Sequence, residues 1–214
     1  MKSIWTYKLL PDLPAPPGEF IDKIDMNWTP PAEDINKYVL GQNTGVDSKY
    51  LAVSPDRKSI TWYGRQHEGV THRRIPLGKD WEQWVRENIH SEFSDTGISY
   101  ANGDITRPTS TAHTDFTRNF TLIYLIDAGG PLAELAIWRA IGQPLLWDQH
   151  MNFSDNKNLI NLAVLPGNPG MWYILNAKIL HSVENLIRPR IGFQVSFVNE
   201  PFKDTPASHE CYTW

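Results

Sequence analysis

Arg190-Ile191-Gly192-Phe193-Gln194-Val195-Ser196-Phe197 alternates between two kinds of residue without interruption. Side chains two apart in a strand share a face. Ile191, Phe193, Val195 and Phe197 therefore fall on one side, and Arg190, Gly192, Gln194 and Ser196 on the other. A period of two identifies a strand and excludes a helix. Working back along the chain, Leu180 to Asn185, Met171 to Leu175, Leu159 to Leu165, Glu134 to Trp138 and Phe120 to Ile126 read as further short strands. Gly and Pro punctuate them, as in Asp127-Ala128-Gly129-Gly130 after the Phe120 run. From residue 98 onward the chain is strand after strand, which predicts a mainly β sandwich or barrel.

The first half is less uniform. Pro11, Pro14, Pro16, Pro17, Pro30 and Pro31 give residues 1–35 the character of an extended arm or a flexible leader. Lys49 to Val53, Ser59 to Gly64 and Gly69 to Pro76 have strand character, with a turn at Ser54-Pro55-Asp56. Trp81, Trp84, Val85 and Ile89 recur at helical spacing behind Asp80, a suitable cap, which predicts a core-facing helix over 81–89. Segment 139–158, with Gly142, Pro144 and Asp148, reads as a long loop at the mouth of a site. The expected organisation is one domain over 1–214, with 1–97 as extension and support and 98–200 as the β core.

Composition narrows the function. Twenty basic residues against 24 acidic ones, net −4, argue against a general nucleic-acid binder. The single cysteine, Cys211, allows no internal disulfide and no Cys-based zinc site, and it fits a reducing, cytoplasmic setting. Lys2 and the short apolar stretch before Pro11 do not have the form of a secretory signal. No run approaches the roughly 18 apolar residues of a membrane span.

The chemistry concentrates in His113-Thr114-Asp115, His181 and Arg190. On a strand, His113 and Asp115 point the same way, as two ligands of one ion must. A second histidine from another strand completes two imidazoles and one carboxylate. That set holds non-haem Fe(II) on one face and leaves the opposite positions open. Arg190 stands on the polar face of an otherwise apolar strand and needs an anionic partner, since an unpaired buried charge is costly. Its planar guanidinium suits a carboxylate. Arg188 is a rival anchor, ranked behind because it precedes Pro189 at the strand entrance. Asn185, Arg118, His150 and Trp172 are candidates to support the ligands or touch a substrate. Asn185 shares the His181 face, Arg118 follows the motif, and His150 lies in the irregular segment.

The stretch from His113 to Phe197 resembles the 2-oxoglutarate- and Fe(II)-dependent oxygenases, and its second strand resembles that of the prolyl-hydroxylase-like members. The resemblance implies a double-stranded β-helix, or jelly roll, with a few supporting N-terminal helices. It implies His113, Asp115 and His181 as Fe(II) ligands and Arg190 as anchor of the distal carboxylate of 2-oxoglutarate. Tyr124, on the second strand, would assist in holding that co-substrate. With O2 as the other co-substrate, the products would be a hydroxylated peptidyl, amino-acid or small-metabolite substrate, succinate and CO2. Asp115 points to hydroxylation, because the family's halogenases replace this carboxylate with a small residue. One departure stands out: the family's Arg-x-Ser is here Arg190-Ile191-Gly192, so the helping hydroxyl is missing. Two alternatives stay open. One is an Fe(II) dioxygenase that needs no keto acid, and the other is a non-catalytic, cupin-like ligand-binding module.

Overall fold

The computed structural model describes residues 2–24, 26, 51–53, 60–63, 70–103, 112–115, 118–153 and 157–213. In chain order the elements are β1 (Lys2–Leu10), α1 (Gly18–Ile21), β2 (Leu51–Val53), β3 (Ile60–Tyr63), β4 (Val70–Ile75), α2 (Lys79–Asn88), β5 (Asp95–Gly103) and β6 (Ala112–His113). They continue with β7 (Phe120–Asp127), β8 (Glu134–Ala140), β9 (Asn152–Phe153), β10 (Leu159–Pro166), β11 (Trp172–Asn176), β12 (Leu180–Glu184), β13 (Arg190–Phe197) and β14 (His209–Thr213). The strands form two antiparallel sheets. The larger runs β14-β1-β11-β7-β13-β5-β4-β3-β2 and the smaller β10-β8-β12-β6-β9. The architecture is the expected mainly β jelly roll with few helices. Among the described residues no helix is long and apolar enough to cross a membrane.

The alternation in β13 explains the layers. Ile191, Phe193, Val195 and Phe197 join Leu122, Tyr124, Ile98 and Trp172 on the outer face of the large sheet. There they meet Trp81, Val85 and Ile89 of the helical layer. Trp81 is fully buried, stacks on Phe193 at 4.6 Å and donates its indole N–H to Thr96 Oγ1 at 2.8 Å. Losing such a side chain costs about 3–5 kcal/mol. The space between the sheets is filled by Leu135, Ile137, Leu165, Tyr173, Leu175 and Ile179, drawn from both of them. Strand β13 is therefore covered on both faces, and all eight of its residues are buried.

Several expectations are corrected. The N-terminal segment is not an arm or a leader at its start. Strand β1 sits inside the large sheet, between β14 and β11. It carries Lys8, 3% exposed, whose ammonium donates to Glu200 Oε1 at 3.0 Å and the Phe202 carbonyl at 2.7 Å. A buried lysine hides a core strand from any reading of hydrophobic pattern. The core thus draws in residues before 98 and, through β14, after 200. The helix starts at Lys79 with Gly78 as its N-cap, so Asp80 is not the cap but a first-turn carboxylate, favoured there by the helix dipole. Segment 139–158 is shorter as a loop than expected, because β8 runs through Ala140 and β9 takes Asn152–Phe153. The Ser54-Pro55-Asp56 turn lies outside the described residues, as do 1, 25 and 27–35 of the Pro-rich stretch.

Candidate metal centre

Four neighbouring strands of the small sheet, β8, β12, β6 and β9, place a row of side chains toward the interior. His181 of β12 is the cross-strand partner of Ile137 on one side and His113 on the other, and His113 is in turn the partner of Asn152. Directly opposed residues share a face, so both histidines project the same way. Their ring centroids are 4.6 Å apart. Strand β6 ends at His113, so the position of Asp115 comes from bonding rather than from the ladder. Its N–H donates to the Ala177 carbonyl at 2.9 Å. Thr114, fully buried between the two residues, is clamped by segment 149–151: its N–H donates to the Met151 carbonyl at 3.0 Å and its hydroxyl to the Gln149 carbonyl at 3.1 Å.

Asp115 Oδ1 lies 3.9 Å from His113 Nε2 and 3.9 Å from His181 Nε2. One ligand atom from each of the three residues falls within 4.8 Å of the others. Ligand bonds of about 2.1 Å let one ion bridge atoms roughly 4.2 Å apart, which spans each of the two 3.9 Å separations. Two imidazole nitrogens and a carboxylate oxygen are the donor set that suits a first-row divalent ion with open positions, Fe(II) among them. Oδ2 of the same carboxylate accepts from Arg118 Nε at 2.5 Å and Thr121 Oγ1 at 3.1 Å. Arg118 also donates to Ser196 Oγ at 3.3 Å, which ties the motif to the inward face of β13.

His181 is prepared as a neutral ligand. Its Nδ1 bonds to the Ile179 carbonyl at 2.9 Å, so Nδ1 carries the proton and Nε2 presents a lone pair to the centre. Burial, and after it the neighbouring His113, holds the His181 pKa down to about 3 from its ordinary 6.5. His150 adds a smaller push in the same direction. The His150 Nδ1 donates to the Thr114 carbonyl at 2.5 Å, which brings this segment against the backbone of the motif.

Arg190 is 7% exposed and points between the sheets. Its Nη1 donates to the Ala128 carbonyl at 3.2 Å and its Nη2 to Tyr173 Oη at 2.9 Å. Among the described residues no acidic side chain pairs with it. A buried guanidinium satisfied only by neutral acceptors still favours an anion, so the site fits a carboxylate ligand. Arg188 is no rival: it is exposed and pairs with Asp127 at 3.1 Å. The turn that presents the Ala128 carbonyl depends on Gly129, whose φ of +89° and close approach to Leu186 exclude a side chain.

Three sequence-predicted roles move. Tyr124 opposes Phe193 and Trp172, so its ring lies on the outer, helix-covered face and not with Arg190. The tyrosine that reaches Arg190 is Tyr173, which the sequence reading missed. Adjacent aromatics alternate faces in β11, and only register says which of them turns inward. Trp172 takes the outer face, packs against Tyr124 at 5.1 Å and donates to the Pro14 carbonyl at 2.8 Å, away from the centre. Asn185 follows the end of β12 with a φ of 60° and is exposed, so it is a turn residue, a role the left-handed tolerance of Asn permits. The absence of the expected serine at 192 also has a local reason. The register of β13 against β7 shifts between Ile191 and Gly192, and a Cβ at 192 would sit 2.7 Å from the Tyr124 carbonyl oxygen.

No family model and no curated protein matches the chain. Among solved structures, a prolyl-4-hydroxylase from Pseudomonas putida is similar at 11% identity and a TM-score of 0.39, over 92% of this chain and 94% of that one. E. coli ycfD is similar at 11% identity and a TM-score of 0.41, over 92% of this chain and 56% of that one. The chain thus spans little more than half the length of ycfD.

Proposed function

We propose that this protein is an Fe(II)- and 2-oxoglutarate-dependent dioxygenase that hydroxylates an organic substrate, with succinate and CO2 as co-products. The observation that carries the reading is the equal 3.9 Å approach of two histidine Nε2 atoms to one oxygen of Asp115 while the other oxygen is held elsewhere. His113, Asp115 and His181 would hold the iron. When bound, Fe(II) with 2-oxoglutarate and O2 would supply the oxidising chemistry.

The chain's own residues do the rest. Arg118 and Thr121 keep Asp115 turned so that one oxygen faces the histidines. The Ile179 carbonyl keeps His181 in the tautomer that binds metal. Arg190 would pair with the far carboxylate of 2-oxoglutarate, and Tyr173, already bonded to Arg190, would hold the guanidinium in place. The segment around His150 covers the motif and limits water on that side. The substrate would be a peptidyl or amino-acid residue or a small metabolite. The single Cys211 is free and suits a reducing, cytoplasmic setting in which ferrous iron persists.

The test is anaerobic titration of the apo protein with Fe(II) and then 2-oxoglutarate, watching for a visible metal-to-ligand charge-transfer band. The band appears only with both components and weakens in Arg190→Ala. An iron-loaded, folded protein without the band would sink the keto-acid reading and favour a keto-acid-independent dioxygenase. Failure to bind iron would favour a non-catalytic module.

A further inference from the structure

Thr114 is the middle residue of the metal motif, and every polar group it has is taken by three consecutive residues of another segment. Its N–H donates to the Met151 carbonyl at 3.0 Å. Its hydroxyl donates to the Gln149 carbonyl at 3.1 Å and accepts from the Met151 N–H at 2.8 Å. Its carbonyl accepts from His150 Nδ1 at 2.5 Å. The residue is fully buried. A threonine hydroxyl has one proton to donate and lone pairs to accept with, and here it does both at once. The ladder extends the contact: Ala112 pairs with Phe153 and His113 with Asn152. Residues 149–153 therefore run as a strap along 112–114.

The strap matters because β6 has little support of its own. It is two residues long, and its pairing with β12 is the single register of His113 with His181. On its other side lies β9, the last strand of the small sheet. His113 Nε2 and Asp115 Oδ1 stand 3.9 Å apart, and the residue that links them in the chain is the one the strap grips. A turn of the backbone at Thr114 would swing one ligand away from the other. A short edge element with few ladder partners is the kind of unit that opens locally while the rest of a fold stays closed.

We propose that Thr114 is a positioning residue for the metal. Through its hydroxyl, the strap 149–153 holds His113 and Asp115 at ligating distance, and closure of the strap is coupled to occupancy of the centre. The coupling is reciprocal: whatever factor a closed strap adds to metal affinity, bound metal adds to strap closure. Groups that orient metal ligands are commonly worth 10- to 100-fold in affinity. The inference rests on the metal-binding part of the dioxygenase reading and on none of its keto-acid chemistry.

The experiment uses the full chain and Zn(II), which is redox-inert and accepts histidine and carboxylate ligands. Affinity is measured by chelator competition for wild type, Thr114→Val and Thr114→Ser. Valine keeps the shape and removes the hydroxyl, whereas serine keeps the hydroxyl. Thr114→Val is expected to weaken Zn(II) binding by about 10-fold or more, and Thr114→Ser to bind as wild type does. Amide hydrogen exchange of the wild type, with and without Zn(II), gives a second readout that needs no variant to fold. The Thr114 and Met151 amides, both donors in the clamp, are expected to slow by about 10-fold or more, and those of α2 to slow less. A valine variant that binds Zn(II) as tightly as wild type overturns the proposal even if it is less stable, since the hydroxyl is then only structural. A serine variant as weak as the valine one overturns it as well. So does equal slowing in the strap and in α2, because the metal then stabilises the whole molecule and not the strap. If Thr114→Val does not fold, the exchange comparison decides alone. A folded wild type that binds no metal overturns the metal centre itself, and the proposal with it.

Discussion

Arg118 Nε and Asp115 Oδ2, three residues apart in the chain, meet at 2.5 Å and divide the carboxylate between two tasks. The oxygen that Arg118 holds is turned away from the histidines, while Oδ1 stands 3.9 Å from both of them. Groups that orient a ligand carboxylate are commonly worth 10- to 100-fold in metal affinity. Arg118→Ala should therefore weaken Fe(II) affinity by about that factor, read by competition with a chelator, while the far-ultraviolet spectrum stays as in wild type. Undiminished affinity would make Arg118 a bystander.

The two tyrosines considered for the co-substrate pocket give a paired test. Tyr173 Oη bonds Arg190 Nη2 at 2.9 Å, whereas Tyr124 lies on the outer face of the sheet. Loss of one hydrogen bond is worth about 0.5–1.5 kcal/mol, or roughly 2- to 12-fold in affinity. Tyr173→Phe should raise the 2-oxoglutarate dissociation constant within that range, measured by the charge-transfer band. Tyr124→Phe should not change it.

Protonation sets an acid limit on the apo protein. The folded-state pKa of His181 is lowered to about 3, mainly by burial, against 6.5 when unfolded. Between these values the unfolded chain binds a proton that the folded chain does not, so unfolding gains as pH falls. The contribution of His181 is fully present above pH 6.5 and is lost as pH drops toward 3. Thermal midpoints of the apo protein should decline across this window, and His181→Leu should flatten the slope. Bound metal, which competes with protons for Nε2, should hold the midpoint up at the start of the decline. A slope identical in wild type and His181→Leu would assign the acid sensitivity to other groups.

Restoring the family's serine should harm rather than help. A Cβ at residue 192 would stand 2.7 Å from the Tyr124 carbonyl oxygen, where β13 shifts register against β7. Forcing extra atoms into so tight a contact costs about 1–3 kcal/mol. Gly192→Ser should lower the urea midpoint accordingly without tightening 2-oxoglutarate binding. A stable variant with improved binding would show that the bulge relaxes easily.

What could be read without coordinates was whatever is local and periodic. Strict alternation from Arg190 to Phe197 defines a strand with one apolar face, and the spacing of Trp81, Val85 and Ile89 defines a helix with one apolar stripe. The pairing of His113 with Asp115 two residues on is equally local, and it was visible as a ligand motif before any fold was known. Strand β1 escaped notice because Lys8 interrupts its pattern, and the partners that make its burial tolerable, Glu200 and the Phe202 carbonyl, are nearly two hundred residues away. The faces of Tyr124, Tyr173 and Trp172 were equally out of reach. Alternation says that neighbours in a strand point oppositely, but not which of them points inward. That choice belongs to register between strands far apart in sequence, where β11 against β7 and β7 against β13 set Tyr173 beside Arg190 and Tyr124 behind it. The residue types and their periods came from the chain's local chemistry. Which side chains share the interior came from long-range pairing, because a shift of one residue turns every side chain of a strand to the other face.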